Sequence, residues 1–233
     1  MKPRAPQTSA FHDFVHLVAG GSLSAVSSRL AACPALATMP SSAGATRQAA
    51  SEFFIAEIAH YLYSGDTALH IAAAAFRRPV AELLIACGAG CRAKNRRGAE
   101  PLHYAADANC WRPAAQAEVI HYLVSVGADP DAVDRGGVTP LHRAVRTRSA
   151  AAVGALLDAG ANPRHPNKSG STPLHLAVQA TGRGGAGGRR ALEQQADIIR
   201  LLLAHGARPT DRDGRGRQAH DAASKWARTV LMA

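Results

Sequence analysis

One octapeptide recurs along this chain and constrains its fold more than any other feature. Gly65-Asp66-Thr67-Ala68-Leu69-His70-Ile71-Ala72 is followed by Gly98-Ala99-Glu100-Pro101-Leu102-His103-Tyr104-Ala105, then by Gly137-Val138-Thr139-Pro140-Leu141-His142-Arg143-Ala144 and Gly170-Ser171-Thr172-Pro173-Leu174-His175-Leu176-Ala177. The leading glycines are 33, 39 and 33 residues apart, so the period is 33 with six extra residues in the second unit. A degraded fifth copy begins at Gly216, with Ala219, Asp221 and Ala223 in the expected places. A fixed period of this length is the signature of a solenoid, in which each unit buries its apolar face only against its neighbours.

The chemistry of the unit predicts helix, turn, helix, loop. Threonine is a good N-cap, and proline suits the first helical turn because its missing N–H has no partner to lose there. An apolar helical pattern follows in each unit and stops at a glycine: Val80, Leu83 and Leu84 before Gly88; Ile120, Leu123 and Val124 before Gly127; Val153, Leu156 and Leu157 before Gly160; Ile198, Leu201 and Leu202 before Gly206. Glycine takes the left-handed conformation that ends a helix. Alanines after each histidine let the first helix approach its neighbours closely, while the longer leucines and isoleucines of the second fill the space between layers.

The period, the Thr-Pro-Leu-His tetrapeptide, the loops Gly127 to Pro130 and Gly160 to Pro163, and the positions of Asp134 and Asp213 resemble ankyrin repeats. The resemblance covers about residues 65–233. It implies an all-α ankyrin-repeat solenoid of about five stacked helix-turn-helix units, starting near 65, 98, 137, 170 and 216, with a helical N-terminal cap. Residues 1–10 are expected to be a flexible N-terminus and 11–64 a divergent helical cap or first repeat. In that stretch Phe11, Phe14, Leu17 and Val18 have helical spacing, as do Leu23, Val26 and Leu30. After an expected flexible stretch from Pro40 to Gly44, the spacing of Phe54, Ile58, Tyr61 and Leu62 predicts a capping helix. Trp226, Val230 and Leu231 are expected to close the far end.

Two insertions depart from the period, near 108–113 and 181–191. The second reads Thr181-Gly182-Arg183-Gly184-Gly185-Ala186-Gly187-Gly188-Arg189-Arg190. Glycines and arginines before a helix start suit an anion, which makes Arg183, Gly184, Gly185, Arg189 and Arg190 an anion-site candidate. The segment lacks the Gly-x-x-x-x-Gly-Lys-Ser/Thr phosphate-loop signature, and a flexible linker would carry the same glycines.

Conventional catalytic and metal constellations are not legible. His70, His103, His142 and His175 occupy one equivalent position in successive layers, and the resemblance implies that each imidazole bonds within the turn that opens its unit. Cys33, Cys87, Cys91 and Cys110 have no Cys-x-x-Cys spacing and are expected to be reduced, mostly buried thiols. No Ser-His-Asp, paired-carboxylate or zinc pattern is present, so the chain is expected to be non-catalytic, without metal or cofactor. No apolar run approaches a membrane span and no signal peptide is legible, so a soluble cytoplasmic protein is expected.

What remains is a binding surface. The resemblance implies contacts at the loop tips, Arg96, Arg97, Arg135, Lys168 and Arg215; at the positions just after them, Val138, Ser171 and Arg217; and on a concave helix face, Tyr104, Asp107, Arg143, Arg146 and Gln179. The net charge is +10, and a row of basic tips would draw in an acidic partner. The excess of 23 arginines over 4 lysines, with so much alanine, also fits a GC-rich genome. The expected function is therefore a non-catalytic protein-protein interaction module with a partner of acidic character; the alternative is a phosphate-bearing ligand, nucleic acid or nucleotide, held by the Gly/Arg insertion and the basic tips.

Overall fold

The structure, a computed structural model, describes residues 6–107, 112–179, 189–223 and 225–232. The described residues form helices and one two-stranded hairpin, and divide into two compact units.

The first unit holds three helix pairs: α1 (Pro6–Gly20) with α2 (Leu23–Ala32), α3 (Ala68–Ala74) with α4 (Arg78–Ala86), and α5 (Pro101–Ala105) with α6 (Pro113–Ser125). First helices pack on first helices, α1 on α3 and α3 on α5, and second helices on second, α2 on α4 and α4 on α6. The α1–α2 pair thus stacks as the repeats do, with Phe14, Val15, Val18 and Val26 fully buried. Helix α1 begins at Pro6, inside the stretch expected to be flexible.

The predicted capping helix over residues 54–62 is not formed. Phe54–Ile55 (β1) and His60–Tyr61 (β2) make an antiparallel hairpin, with a 3-10 turn over Ala56–Ile58 and Ala59 in the left-handed region. The buried set is Phe53, Ile55, Ile58 and Leu62, whereas Phe54 and Tyr61 pair across the strands on the outside, 40% and 37% exposed. Half of the helical spacing was therefore carried by outward-facing aromatics, which suit a pleated surface. The preceding stretch is also tied down: Ser41 N–H donates to Asp66 O, Gly65 N–H to Ser41 O and Ala45 N–H to Leu62 O.

The second unit repeats the plan with α7 (Pro140–Arg146) and α8 (Ala150–Asp158), α9 (Pro173–Ala177) and α10 (Arg189–Ala204), and α11 (Ala219–Ala222) and α12 (Lys225–Met232). Here α7 packs on α9 and α9 on α11, while α8 packs on α10 and α10 on α12. Ala227 is buried and Val230 and Leu231 are half-buried, so α12 covers the end of the stack; the Trp226 side chain lies outside the described residues.

One reciprocal capping box starts α3, α7 and α9. The backbone N–H of Thr67, Thr139 and Thr172 donates to Nδ1 of His70, His142 and His175, and the threonine side chain faces the histidine backbone N–H in return. Because Nδ1 accepts, the ring proton sits on Nε2. That nitrogen donates to the next layer: His70 to Ala99 O at 3.1 Å, His142 to Ser171 O at 3.0 Å and His175 to Arg217 O at 3.1 Å. The histidine is thus both a helix cap and a staple between layers.

The second repeat breaks this rule. Glu100 stands where the other three full copies carry threonine and is fully buried, with both carboxylate oxygens lacking a hydrogen bond. Lys94 Nζ at 3.6 Å and Arg92 Nε at 3.9 Å are its nearest cations. Burial pushes the Glu100 carboxyl up from the ordinary range, and the two cations offset part of that. Glu100→Thr is expected to restore the cap and stabilise the protein by about 1 kcal/mol at pH 7, read as a rise of roughly 3 °C in melting temperature. A lower melting temperature would show that Lys94 and Arg92 hold the carboxylate better than the geometry implies.

Candidate functional site

The loop tips are built by one polar residue in each repeat. Asn95, Asp134, Asn167 and Asp213 each accept two backbone N–H groups with a single side-chain oxygen: those of Arg97 and Ala99, Gly136 and Val138, Ser169 and Ser171, and Arg215 and Arg217. A positive-φ glycine closes each turn by donating to that residue's carbonyl, from Gly98, Gly137, Gly170 and Gly216. Such side-chain-closed turns hold the residues between them at the apex. Sequence reasoning singled out Asp134 and Asp213 and missed Asn95 and Asn167; the available signal was their common place three residues before the leading glycine.

Within each unit, successive tips are zipped together by the main chain. In the first, Arg96 N–H donates to Ser64 O at 2.9 Å; in the second, Lys168 N–H donates to Gly136 O at 3.1 Å and Gly214 N–H to Ser169 O at 2.9 Å. Arg96 and Arg97 are exposed at the first unit's tip, Arg97 lying over the Tyr63 ring at 4.5 Å. Arg135, Lys168 and Arg215 are exposed at successive tips of the second. Val138 and Ser171 follow their tips half-buried. Arg217 is exposed but held by Asp213 through Nε at 3.0 Å and Nη2 at 2.8 Å, and this pairing brings the Asp213 carboxyl down to about 2.

Three residues expected on the concave face are interior instead. Tyr104 is 1% exposed, its ring between His60 and His70, and its hydroxyl donates to Asp66 Oδ1 at 2.8 Å. Asn95 Nδ2 and Tyr63 N–H supply the other donors to that buried carboxylate, so Tyr104 completes a polar cluster that leaves the aspartate fully bonded. Arg143 and Asp107, 8% and 7% exposed, face each other, with Arg143 Nη1 at 3.0 Å from Asp107 Oδ2 and Nη2 at 3.4 Å from Asp134 Oδ2. Arg143 therefore braces the second unit from inside. Arg146 and Gln179 are exposed.

Of the anion-site candidates, Arg183, Gly184 and Gly185 lie outside the described residues, as does the side chain of Arg190. Arg189 is exposed at the start of α10 and pairs with Glu193 one turn on, Nε to Oε1 at 3.0 Å. The expectation of buried thiols fails where it is visible: Cys33 and Cys87 are exposed and Cys91 half-exposed, while Cys110 lies outside the described residues. Among the described residues no three His, Cys, Asp or Glu side chains gather as a metal site would require, and no helix is long and apolar enough to cross a membrane.

Stacked helix pairs, hairpin tips set by one Asn or Asp, and the Thr-His box that joins layers define a helical repeat protein of the solenoid class. The family model described as ankyrin repeats (3 copies) matches residues 45–134 and 113–213, and the chain belongs to the ankyrin-repeat family. The comparison with curated proteins gives no match. Ankyrin repeats are generally protein-protein interaction modules and are typically non-catalytic.

Proposed function

We propose that this protein docks a partner protein of acidic character on its loop tips and the exposed positions of its first helices. The observation that carries this reading is the state of the tip cations. Arg78, Arg92, Arg143, Arg164, Arg200 and Arg217 are paired with acids. The cations at the tips, Arg96, Arg135, Lys168 and Arg215, are exposed and make no ion pair among the described residues. They stand on turns already ordered by side-chain and main-chain hydrogen bonds, so ordering the protein side of an interface costs little conformational entropy. Same-sign charges on pre-formed tips also raise the local concentration of an acidic partner and speed its approach.

Capture from nuclease-treated lysate of the source cells tests this. A protein retained by the wild type at low salt is expected to be lost from a variant with Arg96, Arg97, Arg135 and Lys168 changed to Glu, whose melting temperature should stay near that of the wild type because these side chains are exposed. Retention of the same protein by the reversed-charge variant would defeat the reading. So would a bound fraction that disappears on nuclease treatment, which would point to nucleic acid.

A further inference from the structure

From a cleft within the second unit we infer a carboxylate-binding subsite, formed by Arg146 and Arg148, that takes an acidic side chain flanked by apolar residues on a partner peptide. The inference rests on the protein-docking reading above and deepens it. The cleft has a volume of about 160 Å³, room for several waters or one acidic side chain. Its wall is apolar, from Val145, Leu176 and Ile198, and its polar edge carries Arg146, Arg148 and Gln179.

Three observations make this a site for an anion. Neither Arg146 nor Arg148 has an ion-pair partner among the described residues, and the cleft has no acidic residue in its lining. The neighbouring segment in sequence, 180–188, contains no Asp or Glu that could supply the missing charge. The guanidinium of Arg148 is half-buried, and burial alone lowers its proton affinity, which an opposing carboxylate would reverse. Desolvated, unpaired arginine beside apolar wall fits a planar carboxylate on a hydrophobic stem better than a fully hydrated ion.

The backbone around the cleft is fixed before any ligand arrives. Gln195, itself buried, donates through Nε2 to Ala177 O at 2.6 Å and Gln179 O at 2.9 Å, which holds the end of α9 and uses up that amide's donors. Arg148 sits at φ 61, closing α7 by donating to Val145 O, a place where glycine is the ordinary residue. A large cation is thus held where the backbone prefers no side chain, at the mouth of a cleft with no counter-charge.

The test is a titration of the ¹⁵N-labelled full chain with a peptide of core sequence Leu-Glu-Glu-Leu, followed by its amide and arginine Nε–H resonances and checked by anisotropy of the fluorescein-labelled peptide. Shifts are expected at Val145 to Ser149 and Gln179, with roughly tenfold weaker binding for Leu-Gln-Gln-Leu and for the Arg146→Gln/Arg148→Gln variant. The Arg78→Gln/Arg200→Gln variant, with both changes on exposed positions of second helices, should bind this peptide as the wild type does. Equal binding by the Arg146→Gln/Arg148→Gln variant, no shift at millimolar peptide, or tighter binding of a single-stranded oligonucleotide at the same resonances would each overturn the subsite. Tip-dependent capture of a protein would survive the first two results, so failure of the subsite is distinguishable from failure of the docking reading.

Discussion

Gly170→Val is expected to destabilise the second unit by about 4 kcal/mol, close to the most that one substitution ordinarily costs. Two effects add. Gly170 has φ 73, where a β-branched residue is strongly disfavoured, and a Cβ built there would lie 2.3 Å from the backbone nitrogen of Gly214. That contact is main chain against main chain, with no flexible side chain able to yield, and it lies where Gly214 N–H bonds Ser169 O. The substitution must therefore push successive tips apart or break the bond that zips them. Urea unfolding followed by circular dichroism should show a large loss. Gly154→Val, in α8 with nothing within 4 Å of a Cβ, is the control expected to cost only a fraction of that. Equal effects of the two substitutions would show that tip contact does not set stability.

Acid is expected to weaken the fold through His142. Its ring is buried and fully engaged as the neutral tautomer, and burial brings its pKa from 6.5 down to about 4. A protonated Nδ1 would present a proton to the Thr139 N–H that now donates to it. Between those values the unfolded chain binds a proton that the folded chain refuses. Stability is therefore unchanged by this group above pH 6.5 and falls by about 1.4 kcal/mol per pH unit below it, a total of about 3 kcal/mol by pH 4. Below pH 4 the folded state takes the proton too and the loss levels off. His142→Gln, which keeps a group that can accept from Thr139 and donate to Ser171, should lower stability at pH 7 but lose about 3 kcal/mol less than the wild type between pH 7 and pH 4. Parallel pH profiles would mean that the ring is protonated in the folded protein.

The repeating part of this architecture was legible because each of its signals is local and is repeated. Thr67, Thr139 and Thr172 cap, His70, His142 and His175 follow at the third helical position, and Gly137 and Gly170 turn the chain, all at fixed offsets. The histidine's bond to the next layer could not be read, since it joins Nε2 to a carbonyl 29 residues on for His70 and His142 but 42 for His175. The hairpin at 54–61 was missed because the spacing of Phe54, Ile58 and Leu62 fits a helix as well as it fits two short strands with aromatics outside. Tyr104 and Arg143 occupy a position that carries Ile71 and Leu176 in the other full copies. What buries them is the chance placement of Asp66, Asp107 and Asp134, visible only once the helices are stacked. The Glu100 anomaly was open to inspection, as the one member of the four full copies without a hydroxyl. Arg148 carried no sequence signal, because its importance lies in the absence of an acid nearby in space.

An alanine scan of affinity tests most directly whether a partner is held at the tips. With the captured partner purified, binding to single variants Arg96→Ala, Arg135→Ala, Lys168→Ala and Arg215→Ala should be compared with Arg78→Ala on α4 and Arg200→Ala on α10, exposed arginines of the second helices. Each tip variant is predicted to bind about three- to tenfold more weakly, with the loss shrinking as salt is raised, and the two second-helix variants to bind as the wild type does. Full affinity in all four tip variants, with loss at Arg78 or Arg200, would contradict the account and move the interface to the second helices.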